Sequence, residues 1–374
     1  MFDDIIVGAG IIGLSIGVEI LKFDSSKNVL IIEKECDVGF GQTGNNSNVL
    51  HSGIYYKPGS LKSKLCIEGH KLWIKYCTER SIPITKTGKY IIATNSKEEE
   101  YISDLIYNAK NVDIPFREVE ELELKNEGIN GLKGIFVENT CSLDFRLALH
   151  SLKFDFIRMG GSILYEEKVK KINKGSVITE SDKYFKSTKT IIAAGLGIDK
   201  IVSSEKYFNL GFNGYYYKTE KFRKSNVFVY PAPNPELPFL GVHSCRSTKI
   251  TDYYGPNALP AFFKTPISKK PFFFRKGFYK LLFRLRKTGI DEILTSVFPF
   301  YFRKKINNLV RLGNRKITRG FVGTRAQCIS STGDLVDDFV IERNEELIVL
   351  RNVPSPAATS SLALAKYLYK NYYE

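Results

Sequence analysis

Gly8, Gly10, Gly13 and Glu33 have the residue types and spacing to hold a dinucleotide. The run Gly8-Ala9-Gly10-Ile11-Ile12-Gly13 reads G-x-G-x-x-G, and Glu33 stands 20 residues beyond its last glycine. Gly8 permits a tight turn, and Gly10 lets backbone N–H groups approach a pyrophosphate without a Cβ in the way. Gly13 allows the following element to pack closely. Glu33 can accept both hydroxyls of an adenosine ribose, whereas a 2′-phosphate there would be repelled. These six turn residues, with Glu33 and Lys34, are the candidate nucleotide-binding set.

Such residues need a strand before them and a helix after them. Asp4-Ile5-Ile6-Val7 is a short apolar run rich in β-branched residues, which predicts the strand. Ile12, Ser15, Ile16 and Glu19 recur at helical spacing, and Val29-Leu30-Ile31-Ile32 predicts a second strand ending at Glu33. The helix N-terminus adds partial positive charge and free N–H donors for phosphate. A glycine-rich turn in some other α/β domain is the competing reading, but strand, helix and acid all fall at the required offsets.

Further along, residues 39–56 are rich in glycine and amides, too irregular for a regular element and too long for an ordinary connection. Such a loop beside a nucleotide fold wraps a ligand, which makes Gln42, Thr43, Asn46 and Ser47 candidates for cofactor contact. Helices are predicted over 61–80, 97–110, 119–125 and 145–159, and strands over 87–94 and 134–137. Gly160 to Tyr165, Val169 in the strand after it, and the apolar run Lys189 to Gly195 read as later nucleotide-domain elements. Ala194 and Gly195 are small enough for the chain to pass close to a cofactor. Aromatic, Pro and Gly residues dominate 207–261, which predicts an antiparallel substrate sheet. The C-terminal part, from Gly323-Thr324-Arg325-Ala326-Gln327 through Leu347–Leu350 to Pro356-Ala357-Ala358-Thr359, is expected to return to the nucleotide domain. The fold class is therefore α/β: a Rossmann-like dinucleotide domain from 1–80, 140–205 and 320–374, and a mostly antiparallel substrate domain from 81–139 and 206–319.

At 374 residues the chain has room for two coupled domains. Its 43% hydrophobic and 25% charged content is that of a soluble globular protein, and no stretch is apolar enough to span a bilayer. A cytoplasmic protein is expected, because the apolar run near residue 5 belongs to the nucleotide fold and lacks a basic leader. The six cysteines show no C-x-x-C spacing, so reduced thiols and no metal are expected.

Several stretches together resemble the FAD-dependent L-2-hydroxyglutarate oxidases and dehydrogenases, within the D-amino-acid-oxidase-like group. They are the opening fingerprint, Gln42-Thr43-Gly44 to Tyr56, Pro58-Gly59-Ser60-Leu61-Lys62 and Phe239-Leu240-Gly241-Val242-His243. Gly255-Pro256-Asn257-Ala258, Thr324-Arg325-Ala326-Gln327, Asp337-Asp338-Phe339 and Pro354 to Ser360 complete the set. The resemblance implies FAD, two domains and oxidation of a 2-hydroxy acid. That chemistry needs a hydride acceptor, a base for the hydroxyl proton and a cation for the carboxylate. His51 and His243 both match family histidines, so either can be the base, while His70 and His150 lie in predicted helices. Arg325, between small residues, is the candidate carboxylate clamp, with Arg246 second and Tyr55 and Tyr56 as hydroxyl donors. Two departures stand out. Asn45 and Asn48 replace a histidine and a glycine of the family's loop, and Asn213 and Tyr215 replace an arginine and an acid. The arginine lost at 213 was either a substrate contact or half of a structural ion pair.

An amine or amino-acid oxidase shares the same fold and cofactor, and a catalytically altered flavin-binding membrane protein is a further alternative. An NAD-dependent dehydrogenase fits the long loop and the late small-residue motifs less well. The net charge of +15 is concentrated in residues 262–320, where sixteen Lys and Arg face only Asp291 and Glu292. Twelve Phe and Tyr lie in the same stretch, including Phe272-Phe273-Phe274 and Phe298-Pro299-Phe300-Tyr301-Phe302. Cationic and aromatic residues in one amphipathic segment suit the interface of an anionic bilayer. Anionic lipid and, as electron acceptor, a quinone or oxygen are the expected partners, at the inner face of the cytoplasmic membrane. The competing reading is a helix with a solvated basic face. A nucleic-acid surface is disfavoured because no recognised module accompanies the charge.

Overall fold

The computed structural model describes residues 1–223, 225–233, 240–248, 250–261 and 276–373. Phe239, residues 262–275 with their Phe272–Phe274 run, and the side chains of Arg246, Arg284 and Lys287 lie outside the description. The chain opens with β1 (Phe2–Val7), α1 (Ile11–Phe23) and β2 (Val29–Ile32), then β3 (Val49–Leu50) and α2 (Leu61–Glu79). Next come β4 (Ile84–Lys86), β5 (Lys89–Ala93), α3 (Ser96–Asn111), β6 (Phe116–Glu120) and α4 (Glu121–Asn126). They are followed by β7 (Lys133–Val137), β8 (Cys141–Leu143), α5 (Phe145–Arg158), β9 (Ser162–Leu164) and β10 (Val169–Asn173). The middle of the chain holds β11 (Ser176–Thr179), β12 (Tyr184–Ile192), α6 (Ile198–Ile201), β13 (Tyr207–Glu220) and β14 (Phe228–Pro231). Then follow β15 (His243–Ser247), β16 (Thr251–Gly255), β17 (Leu259–Pro260), α7 (Lys276–Val297) and α8 (Pro299–Asn307). The last elements are β18 (Thr318–Ser330), β19 (Val340–Arg343), β20 (Leu347–Asn352) and α9 (Ala357–Tyr372).

The opening strand sits at the centre of the first sheet, parallel to β2 on one side and β12 on the other. Beyond these, β9 pairs parallel to β2 and β20 parallel to β12. The parallel order β9-β2-β1-β12-β20 puts the carboxyl ends of β1 and β12 beside the glycine turn, where an open α/β sheet binds its ligand. Ile5, Ile6, Ile31 and Ile192 are fully buried because both sheet faces are covered, as the unbroken apolar runs demand. On one face α1 packs with α5 and α9, joining Leu14, Ile20, Leu152, Phe156 and Leu364 in one core.

A second sheet is antiparallel and takes the order β15-β16-β13-β17, with β18 on β13. Gly323 to Gln327, expected among the C-terminal elements of the nucleotide domain, lies in β18 and pairs with Leu210 to Gly214 of β13. Long antiparallel registry, from Tyr207↔Ser330 to Lys218↔Thr318, decides its place. The aromatic stretch also splits, since β14 leaves this sheet and pairs parallel to β5 in a four-stranded sheet β14-β5-β7-β6. Helix 119–125 begins later than expected: Val119 and Glu120 pair with Gly134 and Lys133, so α4 starts at Glu121. The basic segment carries a long helix, α7, running from Lys276 to Val297.

Arg351 on β20 fastens these parts together. Its fully buried guanidinium donates to Asp199 Oδ1 (3.1 Å) and to the Val202 carbonyl (2.8 Å). It also donates to Glu342 Oε2 from Nε (2.9 Å) and Nη2 (2.8 Å). Asp199 lies on α6, just after the Ala194-Gly195 turn, so the arginine fixes where that turn sits. Removing one partner of a buried ion cluster strands the others without compensation. Arg351→Met is expected to lower stability by about 3–5 kcal/mol, measured by urea unfolding, and an unchanged midpoint would contradict this account.

Candidate active site

A cavity of about 1650 Å³ runs from the glycine turn to the antiparallel sheet. Most residues singled out from sequence line it. Gly8, Gly10, Ile11, Ile12, Glu33, Lys34, Val169, Ala194 and Gly195 face one end. Gln42, Thr43, Asn46, Ser47, Pro356, Ala357, Ala358 and Thr359 also line it, as do His51, His243 and Arg325. Ala9 and Gly13 do not, and their parts are structural. The Ala9 N–H donates to Glu33 Oε2 at 2.8 Å, tying the acid to the turn. A Cβ on Gly13 would come 2.0 Å from the Gly8 carbonyl oxygen, so glycine there is what lets α1 meet the sheet.

The turn suits a pyrophosphate. A Cβ on Gly10 would meet only Thr43 Oγ1, at 3.6 Å, so the space beside it belongs to the cavity and not to a protein neighbour. Helix α1 has no side-chain cap from Gly10 and no acid in its first turn, where the Ile11 N–H donates to Thr43 Oγ1 at 3.1 Å and the Leu14 N–H to the Gly10 carbonyl at 3.0 Å. An uncapped helix start is an anion site. Glu33 accepts from Ala9 and, at 3.1 Å, from the Glu35 N–H, which leaves lone pairs for a ribose. A dinucleotide cofactor fits these residues.

Close backbone packing holds the opposite wall. A Cβ on Gly69 of α2 would lie 2.2 Å from the Thr359 carbonyl, so α2 crosses directly over the start of α9. Trp73 Nε1 donates to the Ala358 carbonyl at 2.9 Å, and the His51 N–H donates to Thr359 Oγ1 at 3.1 Å. The start of α2 is capped by Ser60 and by Asp338, whose carboxylate accepts from the Leu61 and Lys62 N–H groups. Lys62, which lines the cavity, donates to Asp337 Oδ1 at 2.8 Å.

The polar end has its own electrostatics. His243 is buried and stacks on Tyr230, with centroids 3.8 Å apart. Its Nδ1 faces the Ser244 carbonyl at 3.0 Å, and a carbonyl can only accept, so Nδ1 carries the proton and Nε2 is left as an acceptor. Burial, reinforced by Arg325 and Lys89, pushes the pKa of His243 down to about 3. His51 is held well below its ordinary value by burial and then by Lys89 and His243. Both imidazoles are therefore neutral, but the Nδ1 of His51 has no partner, whereas that of His243 is oriented. Burial also lowers the pKa of Arg325, whose guanidinium nevertheless keeps its charge.

Two aromatic residues that sequence reasoning placed only in the sheet also line this end: Tyr216, bonded to Ser47 at 3.0 Å, and Tyr230. Only the fold could reveal them, since Ser47 and Tyr216 are 169 residues apart. Tyr55 and Tyr56 line the cavity as expected. The departure at 213 lies elsewhere: Asn213 is buried in β13, off the cavity wall, and its Oδ1 accepts from Thr324 Oγ1 at 2.8 Å. Tyr215 is likewise off the wall, whereas Asn45 lines it and donates to the Phe40 and Gly41 carbonyls. Among the described residues no cluster of His, Cys, Asp and Glu could hold a metal.

A parallel sheet with an uncapped glycine turn, joined to an antiparallel sheet across one long cavity, defines a flavoprotein oxidoreductase. Residues 3–370 match the family model for FAD dependent oxidoreductases, and the chain belongs to that family. FAD is its cofactor, which removes the NAD-dependent reading. The chain is 35% identical to the L-2-hydroxyglutarate dehydrogenase of Indibacter alkaliphilus, over 97% of this chain and 96% of that one. It is 32% identical to the human mitochondrial L-2-hydroxyglutarate dehydrogenase, over 97% of this chain and 87% of that one. The fold is also that of FAD-bound L-alpha-glycerophosphate oxidase from Mycoplasma pneumoniae (TM-score 0.76, 21% identity, covering 98% of this chain and 93% of that one).

A side chain at Gly10 would occupy the cavity at the uncapped helix. Gly10→Val is expected to yield a folded protein without visible flavin absorbance, and full retention of FAD by this variant would overturn the assignment of the turn.

Proposed function

We propose that the protein oxidises a 2-hydroxy acid, with L-2-hydroxyglutarate the leading substrate, to the 2-oxo acid. The observation that carries this reading is His243, an oriented, neutral imidazole with Nε2 left to accept, in the field of the buried Arg325. Two relatives at 35% and 32% identity bear the corresponding name. FAD supplies the hydride acceptor for the carbon that bears the hydroxyl. Arg325 holds the substrate's carboxylate, and His243 Nε2 takes the hydroxyl proton. Arg325 is also what helps hold His243 at low pKa, so a carboxylate paired with it relieves that depression and strengthens the base as substrate binds. Asn213 contacts Thr324 and not the cavity, so its departure from the family leaves the substrate class intact. An amine or amino-acid oxidase reading predicts turnover of amines in the same assay.

His243→Ala is expected to keep FAD and slow anaerobic flavin reduction by L-2-hydroxyglutarate ~10²–10⁴-fold, the usual contribution of a positioned base. Arg325→Ala is expected to weaken substrate binding as well. Wild-type rates in both variants would remove them from the site. In the free enzyme His243 stays unprotonated until the pH falls toward about 3. The kcat/KM profile should therefore lack the loss through about pH 6.5 that an ordinary histidine base gives.

The same reading extends to electron transfer at a membrane. No helix among the described residues is long and apolar enough to cross a bilayer. Helix α7 packs on the antiparallel sheet through Phe278, Leu281, Thr295 and Ser296, with Ser296 Oγ accepting from Asn257 Nδ2 at 2.6 Å. Its outer side exposes Tyr279, Phe283, Ile290, Ile293 and Val297, spaced by four, seven, three and four residues, and Phe298 and Phe300 extend the patch. Such a stripe supports an interaction surface over a merely solvated basic face. Arg286 falls within the stripe, its guanidinium over the Phe283 ring, and Lys280 and Lys304 are exposed on the same two helices, which suits an anionic bilayer surface and a quinone as acceptor. Lys305 has another task, bridging α8 to Asp291 (2.6 Å) and Glu292 (3.2 Å) of α7. Replacing Phe283, Ile290 and Phe300 by Ser is expected to abolish co-sedimentation with anionic liposomes while sparing FAD. Equal binding by this variant and wild type, or none by either at low salt, would discard the membrane surface.

A further inference from the structure

Behind the wall made by Tyr55 and Tyr230 lies a charge without a counter-charge. Lys89, the first residue of β5, is completely buried, and its Nζ makes no hydrogen bond. The ammonium sits 4.4 Å from the centroid of the Tyr55 ring and 5.1 Å from that of Tyr230. These rings lie 6.2 Å apart, and Tyr230 in turn stacks on His243. The hydroxyls of both tyrosines and Nδ1 of His51 are also buried without partners. The titratable groups that face Lys89 are Cys66 on α2, His51 and Tyr55 on the loop before it, Tyr230 on β14 and His243 on β15. None is a carboxylate. Cys66 is pushed up to about 12 by burial and stays a thiol.

A buried lysine is normally paired, because desolvation of an ammonium is costly. Aromatic faces offset part of that cost, since the ring quadrupole attracts a cation. They do not neutralise it. The cluster is rich in donors and contains no acid, and its tyrosines line the cavity that also holds Arg325. An anion entering that end would be drawn by two cations from different elements, Arg325 on β18 and Lys89 on β5.

We propose that Lys89, acting through Tyr55 and Tyr230, is a positioning residue that makes the site select a 2-hydroxy acid with a second carboxylate. This rests on the oxidation of 2-hydroxy acids argued above. Arg325 takes the carboxylate next to the reacting carbon, and the field of Lys89 at the tyrosine hydroxyls favours the far one. Geometry also explains why the lysine remains unpaired in the protein: an acid supplied by the chain would cancel the attraction for the substrate. Burial lowers the pKa of Lys89 to about 7, so its charge is present below neutrality and fades as pH rises through that value. A bound dianion draws the proton back.

The test uses the FAD-loaded enzyme, glutarate as a non-reacting dicarboxylate, and L-2-hydroxyvalerate as a monocarboxylate of similar length. Lys89→Met is expected to weaken glutarate binding and raise the KM for L-2-hydroxyglutarate by roughly tenfold or more. Because Lys89 also acts on His243, the readout is the ratio of kcat/KM for L-2-hydroxyglutarate to that for L-2-hydroxyvalerate, which should fall by roughly tenfold or more in Lys89→Met. Lys89→Arg, which keeps the charge, should restore most of the preference. Wild-type glutarate affinity, titrated by calorimetry from about pH 6 to about pH 9, should weaken as Lys89 loses its proton, and Lys89→Met should remove that dependence. Equal losses on both acids, or a pH-independent glutarate affinity in wild type, would overturn the proposal even if the Met variant folded poorly. An enzyme that oxidises neither acid would overturn the broader functional reading, while glutarate binding would still decide the role of Lys89.

Discussion

The carbonyl oxygen of Gly8 is the point on which the architecture turns. A side chain on Gly13 would fall 2.0 Å from it, and one on Gly8 itself would fall 2.7 Å from the Ala193 carbonyl. Helix α1, strand β1 and strand β12 thus meet as bare backbone, with no room for even a methyl group. This contact aims the uncapped start of α1 into the cavity and brings Ala194 and Gly195 alongside it. Parallel pairing of β1 with β2 then sets Glu33 where the Ala9 N–H can hold it. Every later element is arranged around that small junction.

The second requirement is a wall opposite the turn. It comes from α2 lying against α9, again by backbone contact at Gly69 and Thr359, with Trp73 closing the seam. Capping of α2 by Asp338 makes the wall depend on residues far apart in sequence. Between the two walls some buried polar atoms have no hydrogen-bond partner: Nδ1 of His51, the hydroxyls of Tyr55 and Tyr230, and Nζ of Lys89. Burial holds His51 and His243 below their ordinary pKa, and Lys89 lies in the same region with no carboxylate bonded to it.

The opening thirty-four residues were legible because their signals are local: a β-branched run, glycines at fixed offsets, helical periodicity and an acid at the right distance. The motifs lining the cavity could be read for a related reason, since small or amide residues in long loops have few other uses. What sequence could not reveal was pairing over distance. The place of Asn213 depended on Thr324, 111 residues away, which bonds it within the sheet and off the cavity wall. Placement of Gly323 to Gln327 depended on the registry of β18 with β13. Lys89 looked like an ordinary strand residue because its partners, Tyr55 and Tyr230, lie far from it on both sides. The stripe on α7 was obscured by its charge, since Lys and Arg dominate the count while the exposed apolar positions decide the shape.

Strand β20 and helix α9 carry a further implication for how the protein is made. The first sheet receives β20 only after residue 347 has been synthesised, and α1 and α2 receive their shared partner α9 only after residue 357. Chains emerge from the ribosome at about 5–20 residues per second, so the nucleotide turn waits many seconds beside an incomplete sheet, with α5 in place but the faces of α1 and α2 that α9 covers still open. A nascent chain stalled before residue 340 would hold the glycine turn and Glu33 in sequence, but it would have neither the second wall nor the Arg351 clasp. The cavity beside the glycine turn is therefore complete only once β20 and the start of α9 have been made.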